Sequence, residues 1–373
     1  MSRVWGALLK FYKQTDKLLL LTAVAISLLS GVLLMGIHQA GFTNGPRIVQ
    51  VQFLAMGMGL VGAFIIAMFQ YETLAHLWKL YGPLMALMNL YTAFFGDTRP
   101  GTSNRSWLNL GITSIQPSEF LKIALILTLA YHLSRVQDTL NTPRTLLPVL
   151  AHGFGAVGII LLQGDLGVAI GVAAIVVIML FAAGISWKLL GAGVGAVAAL
   201  APVAWFFLLG QYHKDRILAL FYPDQYVLNE AHQQLEGLLS IGSGQIFGIG
   251  IFNENHNYVP ELYNDFIFTF LGESLGFVGC FLLLLAYAFL CGRILATGIR
   301  CKNLLGRYIC VGVFAMLVSQ IIINVGMCLM LLPVIGVTLP LMSAGGSSVL
   351  MVYAGLGLVL SVYADNNKNM FTN

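Results

Sequence analysis

The chain has 373 residues, of which 58% are hydrophobic and only 9% are charged, 19 of them basic and 15 acidic. An ordinary soluble domain is about 25% charged, so this composition excludes a soluble globular enzyme, a disordered protein and a nucleic-acid-binding protein. We therefore expect most of the chain to lie in a lipid bilayer.

Apolar runs of spanning length recur along the whole chain. Arg3, Lys10, Lys13 and Lys17 precede the first run, and no small-residue cleavage site follows it, so we expect a retained first helix. A helix needs about 20 residues to cross the hydrocarbon. The sequence predicts an all-α polytopic membrane protein, one integral domain over residues 1–373, with about ten transmembrane helices at 18–37, 50–69, 77–95, 118–134, 145–162, 165–184, 187–209, 266–292, 308–330 and 348–364.

The basic residues orient these helices. With a cytoplasmic N-terminus, six lysines and arginines fall on the outer side: Arg47, Arg99, Arg105, Lys122, Lys214 and Arg216. Thirteen fall inside: Arg3, Lys10, Lys13, Lys17, Lys79, Arg135, Arg144, Lys188, Arg293, Arg300, Lys302, Arg307 and Lys368. Cytoplasmic segments of membrane proteins are enriched in Lys and Arg, so the count predicts a multi-pass protein with both termini in the cytoplasm.

The acidic residues and the long loops lie on the other side. Only Asp16, Glu72, Asp138 and Asp365 fall inside, and the other eleven lie at or near the outer face. Two connections are long, 96–117 and 210–265, and long loops are usually functional or disordered. The second, between helices 7 and 8, carries apolar and Gly-rich stretches, so we expect a large structured extracellular loop.

Two motifs place polar groups at helix starts. Pro117 suits the first turn of a helix, and Glu119 and Lys122, three residues apart, share one face. Charges inside a spanning segment are costly unless they pair or face water, so this pair forms an internal ion pair, lines a polar cavity, or does both. Asp165, between two apolar runs, either caps the next helix or takes part in the chemistry.

Two further motifs surround the last long loop. The segment 240–250 is Gly-rich, and Asp265 stands where the polar loop meets an apolar helix. Asp265 is either a helix cap or a partly buried carboxylate that accepts a proton. Pro333, Pro340 and the run 345–348 indicate a re-entrant or broken segment, which membranes tolerate only where protein or a wet cavity covers it.

The order of these motifs resembles the SEDS family (shape, elongation, division and sporulation), the RodA/FtsW group. The shared pattern is RxWLxLG, QPSExxK, QxDLGxA, IGSG, PExxxDFIFxxxGExxGFxG and NxGMxxxLLPVxGxxLPxxSxGGSS. The resemblance covers helices two to ten. Departures at Gly164, Val168, Tyr263, Asn264 and Ala344 are typical of a divergent branch.

The resemblance implies roles for individual residues. Asp265 falls on the family's essential extracellular aspartate, the expected general base, and Glu119 and Lys122 fall on the motif that lines the central cavity. The other matching positions have less defined roles, and they are Arg105, Gln116, Glu261, Ser343, Ser347 and Ser348. All of these except Gln116 are expected to bind substrate together with Glu119 and Lys122.

The same resemblance implies a peptidoglycan glycosyltransferase of the bacterial cytoplasmic membrane. Such enzymes polymerise lipid II at the extracellular face, with undecaprenyl pyrophosphate as leaving group, alongside a class B penicillin-binding protein. The alternatives are a flippase or transporter of the lipid-linked precursor and a non-catalytic scaffold for that partner. No cofactor is required by any motif; Mg or Mn would suit the diphosphate, although no ligand spacing is diagnostic. The motifs are common to family members that act in elongation, division and sporulation, so they do not indicate which of these processes this protein serves.

Overall fold

The computed structural model describes residues 15–43, 45–98, 104–109, 111, 114–226 and 232–370. The helices in chain order are α1 (Lys17–Gln39), α2 (Arg47–Met68), α3 (Tyr71–His76), α4 (Trp78–Phe95), α5 (Pro117–Val136), α6 (Pro143–Leu162), α7 (Leu166–Ala182), α8 (Trp187–Val203), α9 (Gln211–Phe221), α10 (His232–Ser243), α11 (Ile267–Arg300), α12 (Leu304–Cys328) and α13 (Gly346–Met370). Three short strands separate α4 from α5: β1 (Asp97–Thr98), β2 (Arg105–Asn109) and β3 (Ser114–Ile115).

Each of the ten predicted spans coincides with a described helix of at least 17 residues, and the largest difference is the end of α11. Seven of these helices are long and apolar enough to cross a membrane, and α7 is apolar but has only 17 residues. The protein is therefore a polytopic, essentially all-α membrane protein, as predicted. The small antiparallel sheet β1-β2-β3 was not predicted, because strands of two to five residues carry no usable hydrophobic alternation.

Side-chain contacts define two ends of the bundle. At one end Arg293, near the end of α11, pairs with Asp16 at the start of α1 over 2.7 Å. Ser361 of α13 accepts a hydrogen bond from the backbone amide of Tyr71 at 3.0 Å. At the other end, here called the site end, the starts of α5, α7, α11 and α13 meet the segment 329–345.

Helix α11 is broken near its start. Gly276 has φ +65° and ψ −163°, which interrupts the helix after about two and a half turns. The Gly-rich loop after α10 completes the hydrogen bonding on both sides of the break. The Glu273 carbonyl accepts from the amide of Ile249 at 3.0 Å, and the amide of Phe277 donates to the carbonyl of Gln245 at 2.8 Å. Membrane proteins tolerate irregular backbone where such partners exist.

A second irregular segment, residues 329–345, has the re-entrant character that the sequence predicted. It contains left-handed backbone at Met330, Gly336 and Leu341. Side chains from several helices donate to its carbonyls, which replaces the hydrogen bonds that a helix would have formed. These bonds run from Arg216 to Val334 at 2.7 Å, from Gln234 to Leu332 at 2.8 Å, from Asn324 to Val337 at 2.7 Å and from Tyr287 to Pro340 at 2.5 Å.

The predicted long loop after the seventh span is structured where it is described, since it contains α9 and α10. The span before it is different, because no residue in the apolar window of Trp187–Phe207 is buried against the described part of the chain. The five cysteines, all within described residues, are free thiols, and four of them are buried. This agrees with the packing role that the sequence indicated.

Candidate active site

The site is built first on α5. Pro117 opens this helix, as predicted, and Gln116 is its N-cap residue with extended backbone. Glu119 and Lys122 lie on the same face, and the Lys122 ammonium donates to Glu119 Oε1 over 2.7 Å. Both residues are buried, with 4% and 3% of their surface exposed. The predicted ion pair is therefore present inside the bundle.

The ion pair borders a small cavity between α5, α7, α12 and the 329–345 segment. One wall is polar or charged and comes from Gln116, Glu119 and Lys122; the facing wall includes Ser319, Gln320 and Thr338. Two glycines of α7 line the cavity: Gly167 packs closely on the Ile335 carbonyl, and the absence of a side chain at Gly171 leaves open space. Both readings of the Glu119–Lys122 motif thus hold, since the pair also lines a polar cavity.

Asp165 connects α7 to the same site. Its Oδ1 accepts from the Val168 amide at 3.1 Å, which confirms the predicted helix cap. Its Oδ2 accepts from Gln116 Nε2 at 3.2 Å, a bond that joins the starts of α5 and α7. Burial raises the pKa of this carboxyl above its ordinary value, although the hydrogen bond from Val168 opposes the effect.

Asp265 lies two residues before α11 and is half-buried. The N-cap residue of this helix is Phe266, which makes no side-chain cap hydrogen bond, so Asp265 is not the N-cap residue. A Cβ placed on Gly336 would lie 3.5 Å from Asp265 Oδ2. Gly336 lines the cavity and Asp265 does not, so the Asp265 carboxylate lies next to the lining, at the cavity edge.

Glu261 shapes the turn that leads to Asp265. Its backbone is left-handed, with φ +56°, and its Oε2 accepts from Asn264 Nδ2 at 2.6 Å. Its carbonyl accepts from the amide of Asn264 at 3.0 Å and from that of Phe266 at 3.3 Å. Glu261 is exposed and is not among the residues that line the cavity, so the structure gives it contacts within the turn.

The three predicted serines hold the loop before α13 in place. Ser343 Oγ accepts from the Leu339 amide at 2.8 Å, Ser347 Oγ accepts from the Gln116 amide at 3.4 Å, and Ser348 shares a hydrogen bond with Thr338 at 3.2 Å. None of the three is a lining residue of the cavity. Ser347 and Ser348 nevertheless bond to Gln116 and Thr338, which do line the cavity.

Arg105 stands apart from the cavity. It is exposed on β2, and its Nη1 donates to the Phe94 carbonyl at 2.9 Å. Its backbone amide donates to the Gln163 carbonyl at 2.9 Å, which ties the small sheet to the turn between α6 and α7. The prediction grouped Arg105 with the substrate contacts, but the structure does not bring it to the cavity wall.

Sequence reasoning did not single out three lining residues, Ser319, Gln320 and Thr338. Gln320 had a usable signal, because a buried amide in an apolar span usually marks a polar interior. It is 5% exposed, and its Oε1 accepts no hydrogen bond from the described residues. The structure assigns no site to the divalent cation, Mg or Mn, that would suit a diphosphate. Among the described residues, no three His, Cys, Asp or Glu side chains come together to hold a metal.

A helical bundle with a charged cavity between the ends of its spans defines a polytopic membrane protein with a polar site near one end. The chain matches the FtsW/RodA/SpoVE family, described as cell cycle proteins, over residues 13–368. The chain belongs to this family.

Named relatives and solved structures agree with this placement. Stage V sporulation protein E of Bacillus subtilis strain 168 is 31% identical over 352 residues, covering 89% of this chain and 93% of that protein. Peptidoglycan glycosyltransferase MrdB of Escherichia coli K12 is 35% identical over 254 residues, covering 67% and 68%. One solved structure is that of a peptidoglycan synthase complex, which is described as coordinating polymerization and crosslinking. A chain of that complex superposes on this one with a TM-score of 0.78 at 31% identity, covering 94% of this chain and 98% of that one. Rod shape determining protein RodA of Thermus thermophilus gives 0.69 at 31% identity, covering 94% and 97%.

Proposed function

We propose that this protein is a peptidoglycan glycosyltransferase that polymerises lipid II into glycan strands. The observation that carries the proposal is the Asp265 carboxylate at the edge of a cavity whose wall holds a buried lysine, Lys122. A carboxylate and a cation around one polar cavity suit a sugar transfer that releases a diphosphate. The relationship to MrdB, a named peptidoglycan glycosyltransferase, supports the same activity.

The chemistry requires a base. The 4-hydroxyl of one lipid II attacks the anomeric carbon of the muramyl unit that carries the growing chain, and the bond to undecaprenyl pyrophosphate breaks. Asp265 takes the hydroxyl proton, and a positioned carboxylate base contributes about 10²–10⁴-fold to such a step. The α-linked donor gives a β-linked product, so a single displacement with inversion suffices and no covalent enzyme intermediate is required.

The leaving diphosphate requires positive charge. A lysine ammonium group has three N–H donors. Lys122 donates one of them to Glu119, so two remain for an anion in the cavity. The amides of the first turn of α5 add the positive end of that helix. Gln116 and Thr338 are the neighbouring polar groups on the lining. Fixed donors of this kind stabilise charge that develops in a transition state.

We assign the site end to the outer face of the cytoplasmic membrane. The opposite end carries Arg135, Arg144, Arg293, Arg300 and Arg307 at or near the ends of helices, and the sequence places thirteen of the 19 basic residues on that side. Positive residues favour the cytoplasmic side. Both termini would then be cytoplasmic, and lipid II would be used after its translocation.

We also propose a class B penicillin-binding protein as partner. A chain similar to this one along 94% of its length occurs in a peptidoglycan synthase complex that combines polymerization and crosslinking. A transpeptidase would crosslink strands as they leave the site. Purified proteins mixed in detergent should form a complex by size-exclusion chromatography.

The test of the activity is polymerisation of purified lipid II, with and without the partner, by wild type and by Asp265→Asn. We expect the variant to lose at least about 100-fold in rate. Asp138→Asn is the control, because it makes the same substitution at an exposed aspartate between α5 and α6, at the opposite end of the bundle. Equal rates for wild type and Asp265→Asn would overturn the assignment of the base.

The alternatives give different results in the same preparations. A precursor transporter would move lipid II across vesicles without making polymer. A scaffold would leave growth normal in an Asp265→Asn strain while deletion of the protein fails.

A further inference from the structure

Asn324 on α12 makes two hydrogen bonds with one amide group. Its Nδ2 donates to the carbonyl of Asp265 at 2.8 Å and to the carbonyl of Val337 at 2.7 Å. The residue is fully buried. An amide NH₂ has two hydrogens, so both are used, and each is given to a different irregular segment of the site end.

These two carbonyls belong to the two pieces of backbone that bring Asp265 to the cavity. Asp265 lies in the turn before α11, and Val337 directly follows Gly336. Gly336 is the lining residue that borders the Asp265 carboxylate, and its φ is +70°. Both pieces lack helical hydrogen bonding. A backbone bond from the Ala344 amide to the Tyr263 carbonyl at 2.8 Å also joins them, but the Asn324 amide bonds at Asp265 itself and beside Gly336.

We propose that Asn324 is a positioning residue for Asp265: its amide clamps the turn of Asp265 against Val337 and thereby sets the carboxylate at the cavity edge. This rests on the proposed function, in which Asp265 is the base. Asn324 does not touch the cavity, since it is not among the lining residues, so it acts through the backbone.

The chain offers a closely matched control in Gln234. Its Nε2 also donates to two backbone carbonyls, those of Met327 at 2.9 Å and Leu332 at 2.8 Å, and it is 1% exposed. It therefore supports the same irregular segment with the same kind of bond, but it does not contact Asp265 or Gly336. A purely structural role for Asn324 predicts that Asn324→Leu and Gln234→Met behave alike.

We expect them to differ in steady-state polymerisation. Asn324→Leu should lower kcat by about 10- to 100-fold with KM for lipid II within about two-fold, because a misplacement of about 1 Å costs up to about 10²-fold in rate. Gln234→Met should lower the melting temperature to a similar extent but change kcat by less than about two-fold. Equal kcat values for the two variants, each compared at a temperature where it is folded, would overturn the proposal.

A double variant separates positioning from general damage. If Asn324 acts through Asp265, then Asn324→Leu should cause no further loss in an Asp265→Asn background, because residues that act as a unit are not additive. A loss in that background as large as in wild type contradicts the proposal. If Asn324→Leu does not purify as a folded protein, Asn324→Ser, which keeps one donor, is judged by the same two criteria.

The same experiment keeps the two proposals apart. Full activity of Asp265→Asn would contradict the assignment of Asp265 as the base, and with it the proposed mechanism. An inactive Asp265→Asn beside an Asn324→Leu that matches Gln234→Met removes only the positioning role.

Discussion

Lys122 donates to Glu119 over 2.7 Å in the interior of the bundle, and the two residues are one turn apart on α5. Removing one partner of a buried pair leaves an uncompensated charge and typically costs about 3–5 kcal/mol, whereas replacing both is often nearly neutral. We therefore expect replacement of either residue alone to destabilise the protein more than replacement of both.

This gives a first prediction. Lys122→Met alone should lower the free energy of unfolding by about 3 kcal/mol, and adding Glu119→Leu should restore most of it. Polymerisation should be lost in both proteins, because the diphosphate loses its cation. Thermal unfolding in detergent and the polymerisation assay measure the two effects. A double variant that unfolds at the temperature of the single one would show that the charges are not coupled.

The second prediction concerns pH and Asp165. Burial raises the pKa of Asp165 above its ordinary value of 3.8, so the folded protein favours the neutral carboxyl. The stability that the neutral Asp165 carboxyl contributes is fully present below pH 3.8. It is lost as pH rises through the raised pKa of the folded state, because the unfolded chain gives up this proton first. Asp165→Asn, which also caps helices well, should therefore gain stability relative to wild type as pH rises over that window.

Asp165→Ala is the control for the cap. It should be about 1 kcal/mol less stable than Asp165→Asn at every pH, because neither variant titrates at this position and only the Val168 amide of Asp165→Ala loses its acceptor. Melting temperatures measured in detergent from pH 4 upwards test both variants. A constant difference between Asp165→Asn and wild type across the range would contradict the raised pKa.

The third prediction compares two glycines of α7 that line the same cavity. A Cβ on Gly167 would lie 2.0 Å from the Ile335 carbonyl oxygen, whereas a Cβ on Gly171 meets nothing within 4 Å. Gly167→Ala should push the 335–337 backbone away from α7 and cost about 1–3 kcal/mol. Gly171→Ala should leave the melting temperature unchanged or raise it. Similar melting temperatures for the two variants would show that α7 does not pack closely on this segment.

The fourth prediction concerns Glu273, which is fully buried beside the helix break. It accepts from His256 Nδ1 at 2.9 Å, from the Asn257 amide at 3.0 Å and from Asn257 Nδ2 at 2.6 Å. Glu273→Leu leaves these donors without their acceptor and should cost about 3 kcal/mol. Limited proteolysis should then cut within residues 249–257. Glu254→Leu, in the exposed part of the same loop, is the control and should cut at the wild-type rate.

The sequence predicted the helices well and their polar contacts poorly, for a physical reason. Hydropathy and the need to span about 30 Å of hydrocarbon define each span independently of the others, and Pro117 and Asp165 mark helix starts through local backbone chemistry. The contact of Asp265 with Gly336 joins residues 71 positions apart, and no periodicity encodes which loop meets which. Arg105 is a second example, because no local pattern predicts that its guanidinium bonds to Phe94 and its backbone amide to Gln163.

The break at Gly276 divides α11 into a short piece next to Asp265 and a long piece, residues 277–300. At 1.5 Å per residue the long piece alone measures about 36 Å, which exceeds a typical hydrocarbon thickness of about 30 Å. A thicker or thinner bilayer can be matched by tilting of the long piece. The hydrogen bonds between residues 245–250 and 273–278 join both pieces to the same loop, because Phe277 and Val278 at the start of the long piece also donate to it. A change in bilayer thickness that tilts the long piece would therefore be transmitted to the loop that leads to Asp265, the proposed base.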